Sequence, residues 1–193
     1  MRLRSAVAVL VYCLAAGFAH PAAAQDGSPS PSPSADTSGA DPLAGLQFLP
    51  PPGWPQVSVP QQIGNARILG AWRSPVPGPS GFSSNLNLVI EPVVASLDEV
   101  AAAHDRAMRR PAAPAKPVGA GRREMLCGDT PAYVFLQDRQ LAALVIRQEQ
   151  VFVEVGTRLV TATYSAVKDD HAADAAALAA LKNVCPKTPG VPA

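Results

Sequence analysis

The chain has 193 residues, 48% of them apolar, and 16 Lys plus Arg against 15 Asp plus Glu for a formal net charge of +1. That length suits a single folded domain with its own core, and the charge balance gives no global electrostatic case for nucleic acid or an anionic membrane as partner. Three cysteines and three histidines leave little material for nucleophilic or metal chemistry.

Residues 1–24 read as a secretory signal peptide. Arg2 and Arg4 form a positive n-region, Ala6 to Ala19 is an almost unbroken apolar stretch, and Ala22-Ala23-Ala24 offers a cleavage site before Gln25. The apolar stretch, about 14 residues, falls short of the ~20 a spanning helix needs. Cys13 lies inside it behind Val11-Tyr12, unlike a lipidated cysteine, which sits at the end behind small residues. Cleavage discards Cys13, His20 and two arginines, turns the net charge to −1 and leaves no stable membrane anchor. The expected destination is periplasmic or secreted. Cys127 and Cys185 then remain in an oxidising compartment, where an even pair is expected to form a disulfide. No C-x-x-C spacing and no histidine next to either cysteine favours reactive or metal-binding thiols.

Residues 25–45 form a leader containing Ser28-Pro29-Ser30-Pro31-Ser32-Pro33-Ser34. Serine and proline offer no apolar surface to offset the entropy of ordering, so disorder is expected. The folded domain is expected over 46–186, with a flexible tail at 187–193. Phe48 to Trp54 carries three prolines and reads as extended. Gln56 to Val59 reads as a short edge strand, Ala66 to Arg73 as a strand, and Pro75 to Gly81 as a loop. Phe82 to Val94 follows as a half-buried strand, with Leu86, Leu88 and Ile90 on one face and Asn85, Asn87 and Val89 on the other.

Ser96-Leu97-Asp98-Glu99 is a capping box. Leu97, Val100, Ala101, His104 and Met108 recur at helical spacing behind it, and the helix is expected to end near Arg110, before Pro111. Pro111 to Gly121 reads as a loop. Glu124 to Cys127 leads through a Gly128-Asp129 turn into Pro131 to Asp138. Leu144 to Val155 is a long strand, Gly156-Thr157 a tight turn, and Leu159 to Ala166 the last strand, rich in β-branched residues. A terminal helix is expected with Asp169 or Asp170 as N-cap and a stripe of Ala173, Ala177, Leu178 and Leu181, stopped by Pro186. These elements imply an α+β fold, an antiparallel β-sheet flanked by helices in a single domain.

Four pieces in this order carry a resemblance. They are Pro51-Pro52-Gly53-Trp54; the strand Asn85 to Ile90 running into the Ser96 helix; Gly128-Asp129-Thr130-Pro131-Ala132 opening a hairpin; and Thr161-Ala162-Thr163-Tyr164-Ser165-Ala166 before the closing helix. The pattern resembles the PsbP-like superfamily, which includes the PsbP extrinsic photosystem subunits, the mycobacterial LpqN lipoproteins and a Ran-binding nuclear protein. The resemblance implies an α/β/α sandwich and a non-enzymatic role in binding or assembly. It carries over no functional residue, because members use different surfaces for different partners.

Catalysis needs convergent groups, and few are present. His104 falls on the apolar stripe of its helix and is expected to be a half-buried packing residue. His171 is expected in the first turn of the last helix, solvated. No G-x-S-x-G, H-E-x-x-H or Gly-rich phosphate loop occurs. Asp169, Asp170 and Asp174 read as partners of a helix dipole rather than metal ligands. Arg106, Arg109, Arg110, Lys116, Arg122 and Arg123 are the one local charge asymmetry, either a solvated face or a docking patch for an acidic partner. Trp54 and Trp72 are either core packing or the walls of a ligand groove. The expected function is a non-enzymatic binding or assembly-accessory protein of the periplasm or exterior, needing no cofactor and acting on a protein or envelope component. The alternatives are a small extracytoplasmic hydrolase and an inhibitor of extracellular hydrolases presenting the Pro75 to Gly81 loop.

Overall fold

The structure, a computed structural model, describes residues 45–93 and 95–187. The signal segment, nearly all of the Ser/Pro leader and the tail beyond Lys187 lie outside the described residues. In chain order the elements are β1 (Leu46–Gln47), β2 (Gln62–Ile63), β3 (Ala66–Arg73), β4 (Asn85–Pro92), α1 (Leu97–Met108), β5 (Lys116–Pro117), β6 (Arg122–Leu126), β7 (Thr130–Leu141), β8 (Leu144–Val155), β9 (Arg158–Val167), α2 (Ala175–Lys182) and β10 (Cys185–Pro186), with a 3-10 turn at His171–Ala173 before α2. Among the described residues no helix is long and apolar enough to cross a membrane.

The main sheet is antiparallel in the order β2-β3-β4-β9-β8-β7-β5, with β6 also paired to β7. The chain leaves β4 through α1, re-enters at the β5–β6 edge, and returns through β7 and β8 to place β9 against β4. The three central strands alternate apolar side chains to both faces, which is what a doubly covered sheet requires. Val151 joins a core with Leu86, Leu88, Tyr164, Ala177 and Leu181, while its neighbour Phe152 joins a second core with Leu97, Val100, Ala101 and Phe135. Hence α2 covers one face and α1 the other. Fully burying a side chain of the size of Phe152 or Leu86 contributes roughly 1.5–3 kcal/mol each.

The capping box forms as the sequence reads. Glu99 N–H donates to Ser96 Oγ at 3.4 Å, and Ser96 N–H donates to Glu99 Oε2 at 2.9 Å. The backbone bond from Ser96 lowers the Glu99 carboxyl pKa. The α1 stripe of Leu97, Val100, Ala101, His104 and Met108 is buried throughout.

Other expectations are corrected. The cap of α2 is Asp174, whose carboxylate accepts from Ala177 N–H at 3.0 Å. Asp170 has helical backbone angles and makes no cap bond, so its segment closes as a 3-10 turn instead. The buried stripe of α2 is Ala177, Ala180 and Leu181, and Ala173 is exposed. Gln56 to Val59 forms no strand, only one bridge from Gln56 to Trp72. Lys116–Pro117, read as loop, pairs with Gln137 and Asp138. β7 runs three residues past Asp138 and turns at Ala142-Ala143, a turn without glycine, proline or asparagine to announce it.

The polar face of β4 is also closed, since Asn87 is buried. Its face carries a row of buried polar side chains tied across strands. Gln137 Nε2 donates to Gln148 Oε1 at 3.1 Å, Gln148 Nε2 to Ser165 Oγ at 3.0 Å, and Gln150 Nε2 to Thr163 Oγ1 at 3.2 Å. Such bonds offset the cost of removing these amides from water.

Candidate functional site

Cys127 and Cys185 are joined by a disulfide across 58 positions, with Cα atoms 6.3 Å apart. Cys127 occupies the three-residue turn between β6 and β7, and Cys185 lies in β10, which pairs with β1 through Gln47. The bridge thus ties both ends of the domain to the β6–β7 hairpin. Cys127 is itself in the left-handed region at φ 53 and is exposed, while Cys185 is buried.

The six cations of the basic segment come from the end of α1, from β5 and from β6, at the β5–β6 edge of the sheet. Folding brings acids among them. Arg109 forms a two-pronged pair with Asp105, at 2.7 and 3.0 Å, and this bond holds the aspartate below the usual carboxylate range. Arg122 pairs with Glu124 and reaches Glu149 at 3.3 Å. Arg123 lies 3.5 Å from Asp98, which also accepts from the Tyr133 hydroxyl at 2.8 Å. Glu124 receives Lys182 as well, at 3.4 Å; burial works to raise its pKa, but the Arg122 bond and the Lys182 charge outweigh that and lower it. Lys116 Nζ donates to the Pro111 carbonyl at 3.4 Å. Arg106 and Arg110 are exposed and make no ion pair among the described residues. The charge left open to a partner is therefore concentrated on Arg106, Arg110 and Lys116, the last beside the helix end that carries the other two.

Trp72 is 7% exposed, its ring 5.0 Å from that of Phe48, and it lies over Gly70. Trp54 is half-buried on the same core, 6.4 Å from Tyr164. The two indoles therefore belong to one packed layer, with Trp54 at its rim.

Both histidines are inside. His104 is 1% exposed and lies between Phe135 and Phe152; burial pushes its pKa down to about 4. His171, expected in solvent, is 5% exposed, packed against Tyr164 at 4.9 Å. The 3-10 turn folds it back onto the sheet. Burial, and next the nearby Arg147 charge, lower its pKa, so it faces Glu149 as a neutral ring at 4.0 Å, beyond hydrogen-bond reach. Burial also pushes the Tyr164 phenol up to about 12. The Glu149, His171 and Tyr164 grouping was missed in the sequence because its members lie on β8, the 3-10 turn and β9, and strand register alone brings Glu149 opposite Tyr164. Beside it, Arg147 holds Asp138 at 2.8 Å and lowers its pKa. Each of these groups is used in packing or pairing.

No family model matches the sequence, and no curated protein matches it. Solved structures do. Cyanobacterial PsbP (CyanoP) from Synechocystis sp. PCC 6803 superposes with a TM-score of 0.55 at 14% identity, covering 76% of this chain and 89% of that one. LpqN of Mycobacterium tuberculosis, described as involved in cell envelope biogenesis, gives 0.52 at 12% identity over 73% and 83%. A Pseudomonas aeruginosa protein of unknown function gives 0.54 at 14% identity over 70% and 98%. At such identities the likeness is one of fold, and it agrees with the antiparallel sheet carrying a helix on each face. The chain has the PsbP-like fold.

Proposed function

We propose that this protein is an accessory binding domain of the periplasm or exterior, which holds a protein or envelope component and does not transform a substrate. The observation that carries the reading is the fate of the ionisable groups. Both imidazoles are packed against aromatic rings and held neutral, and most of the charged side chains around the β5–β6 edge are paired with one another. An activated base needs a pKa near the working pH and access to a substrate, and His104 has neither. The disulfide favours an oxidising compartment. The fold shared with a protein of cell envelope biogenesis supports the same setting.

The partner surface in this reading is the basic group of Arg106, Arg109, Arg110, Lys116, Arg122 and Arg123, with Arg106, Arg110 and Lys116 as its open charges. The test is crosslinking of the tagged full chain in its native envelope, followed by mass spectrometry. Arg106→Glu, Arg110→Glu and Lys116→Glu together are expected to remove the captured partner. Unchanged capture would exclude this surface. A measurable turnover that His104→Ala abolished without unfolding the domain would overturn the non-enzymatic reading.

A further inference from the structure

At one end of the sheet, two arginines have no carboxylate of their own. Arg67 on β3 and Arg158 on β9 make no ion pair among the described residues. Both line an open cleft of ≈ 270 Å³ together with Asn65, Ile90, Glu91 and Thr157. Arg67 pairs in register with Ile90 and Arg158 with Pro92. Ile90 and Pro92 are two residues apart on β4, so all four side chains rise from one face. Two strand spacings across and two residues along place the arginine Cα atoms about 12 Å apart, which lets two long side chains converge over β4.

Two tight turns wall the cleft. One is the β2–β3 turn, with Gly64 at φ +60, and the other is the β8–β9 turn, with Gly156 at φ +61. The Thr157 carbonyl accepts from Val93 N–H at 3.0 Å and fastens the second turn to the end of β4.

The chemistry of the lining selects an anion. A guanidinium is a planar fork, weakly hydrated, that matches an oxyanion with two parallel hydrogen bonds. Two forks flanking one point suit a doubly charged group with three terminal oxygens better than a single carboxylate, which one fork satisfies. Asn65 and Thr157 add neutral donors. Glu91, between Ile90 and Pro92, sends its side chain to the opposite face with its register partner Leu159, so the arginines rise from the face that it leaves. The floor at Ile90 is apolar, and the volume lies just below the range of drug-sized pockets. The occupant is therefore a charged group on a small organic stub.

We propose that the Arg67–Arg158 cleft binds a phosphomonoester, carried by a small soluble molecule or by a lipid headgroup. The site lies outside the basic segment assigned to a partner above, so anion binding and partner capture fail independently.

The test is calorimetric titration of the full chain with glycerol 1-phosphate and with inorganic phosphate, and co-sedimentation with phosphatidylcholine vesicles containing phosphatidic acid. Glycerol 1-phosphate is expected to bind, and Arg67→Gln and Arg158→Gln each to weaken it about tenfold or more, the loss of a charged hydrogen-bond pair. Arg67→Lys keeps the charge without the fork and is expected to fall between. Arg73→Gln, at the other end of β3 and exposed, is expected to leave binding unchanged. Vesicle binding that the two Gln variants abolish would assign the headgroup as source, and binding of the soluble phosphates alone would assign a small molecule. Both arginines are exposed and unpaired, so equal melting temperatures of the variants and the parent are expected and separate binding from folding. Undiminished affinity in the doubly substituted chain, or no binding of any probe at millimolar concentration, would overturn the proposal.

Discussion

The ring centre of His104 lies 4.5 Å from that of Phe135, sealed between α1 and the sheet. An imidazole in that place cannot hold a proton cheaply. Its pKa of about 4 in the folded state compares with about 6.5 for an unperturbed histidine, so between these values the unfolded chain binds the extra proton. Stability from this group is complete above pH 6.5 and is lost as pH falls towards 4. We expect the denaturant midpoint to drop between pH 7.5 and 4.5 by the equivalent of about 2–3 kcal/mol from His104, with His171 acting in the same direction. His104→Leu should flatten the curve over that window. A slope left unchanged by this variant would show that His104 is not the sensor. Asp105 and Asp138, whose pKa values are lowered, lose their contributions only below that window, as they protonate in stronger acid.

The disulfide predicts a large effect of reductant. Closing a 58-residue separation restricts the unfolded chain by about 4 kcal/mol in the loop-entropy model. Reduction, or Cys127→Ser with Cys185→Ser, is expected to lower the unfolding free energy by about 2–4 kcal/mol in guanidinium melts, with β1 and β10 fraying first in hydrogen exchange. Equal midpoints with and without reductant would remove the bridge as a staple.

The β7–β8 turn holds Ala142 at φ 50, where a Cβ is unfavourable by roughly 1–2 kcal/mol. Glycine removes that cost but loses more freedom on folding, roughly 0.5–1 kcal/mol. Ala142→Gly is therefore expected to stabilise by about 0.5 kcal/mol, a rise of one or two degrees in melting temperature, about what this size of domain allows. A fall in melting temperature would contradict the strain.

Gly70 has the opposite constraint. A Cβ built there runs into the indole of Trp72, and one at Gly121 runs into the ring of Phe135. Both rings are buried, the indole over Gly70 in β3 and the phenyl ring over Gly121 just before β6, positions that only glycine leaves open. Gly70→Ala and Gly121→Ala are each expected to cost about 1–3 kcal/mol through overpacking, read from denaturant midpoints. A substitution within experimental error of the parent would mean that the rings move aside freely.

Removing the α2 cap tests the corrected helix start. Asp174→Ala is expected to cost about 1 kcal/mol, and Asp170→Ala much less, since only the Asp174 carboxylate meets an orphan N–H. The reverse ranking, in paired chemical melts, would restore Asp170 as the cap.

Much of this fold was legible in the sequence where the signal is local. The Ser96 box, the Leu86-Leu88-Ile90 alternation, the Gly156-Thr157 turn and the bounds of β3 all appear as read, because each depends on residues a few positions apart. The misreadings are of another kind. His171 looked solvated because it follows two aspartates, and the 3-10 turn that folds it onto Tyr164 has no sequence mark. The Asn85-Asn87-Val89 face of β4 reads as the open side of a half-buried strand, yet Asn87 is buried opposite Thr163, beside glutamines whose partners lie on neighbouring strands.

The basic segment shows the same division. The sequence determined that six cations fall between Arg106 and Arg123, that two cysteines remain for a bridge, and that helices and strands follow in the order of an α+β domain. Tertiary structure alone decided which of those cations keep their charge in the open, because Coulomb attraction acts over a few ångströms in space regardless of separation along the chain. Glu149 reaches Arg122 from 27 positions away, and Asp98 reaches Arg123 from α1, so the cluster in sequence is partly neutral in the fold. By the same rule Arg67 and Arg158, far apart in sequence and unremarkable there, stand on one face on either side of β4 with no ion pair of their own among the described residues.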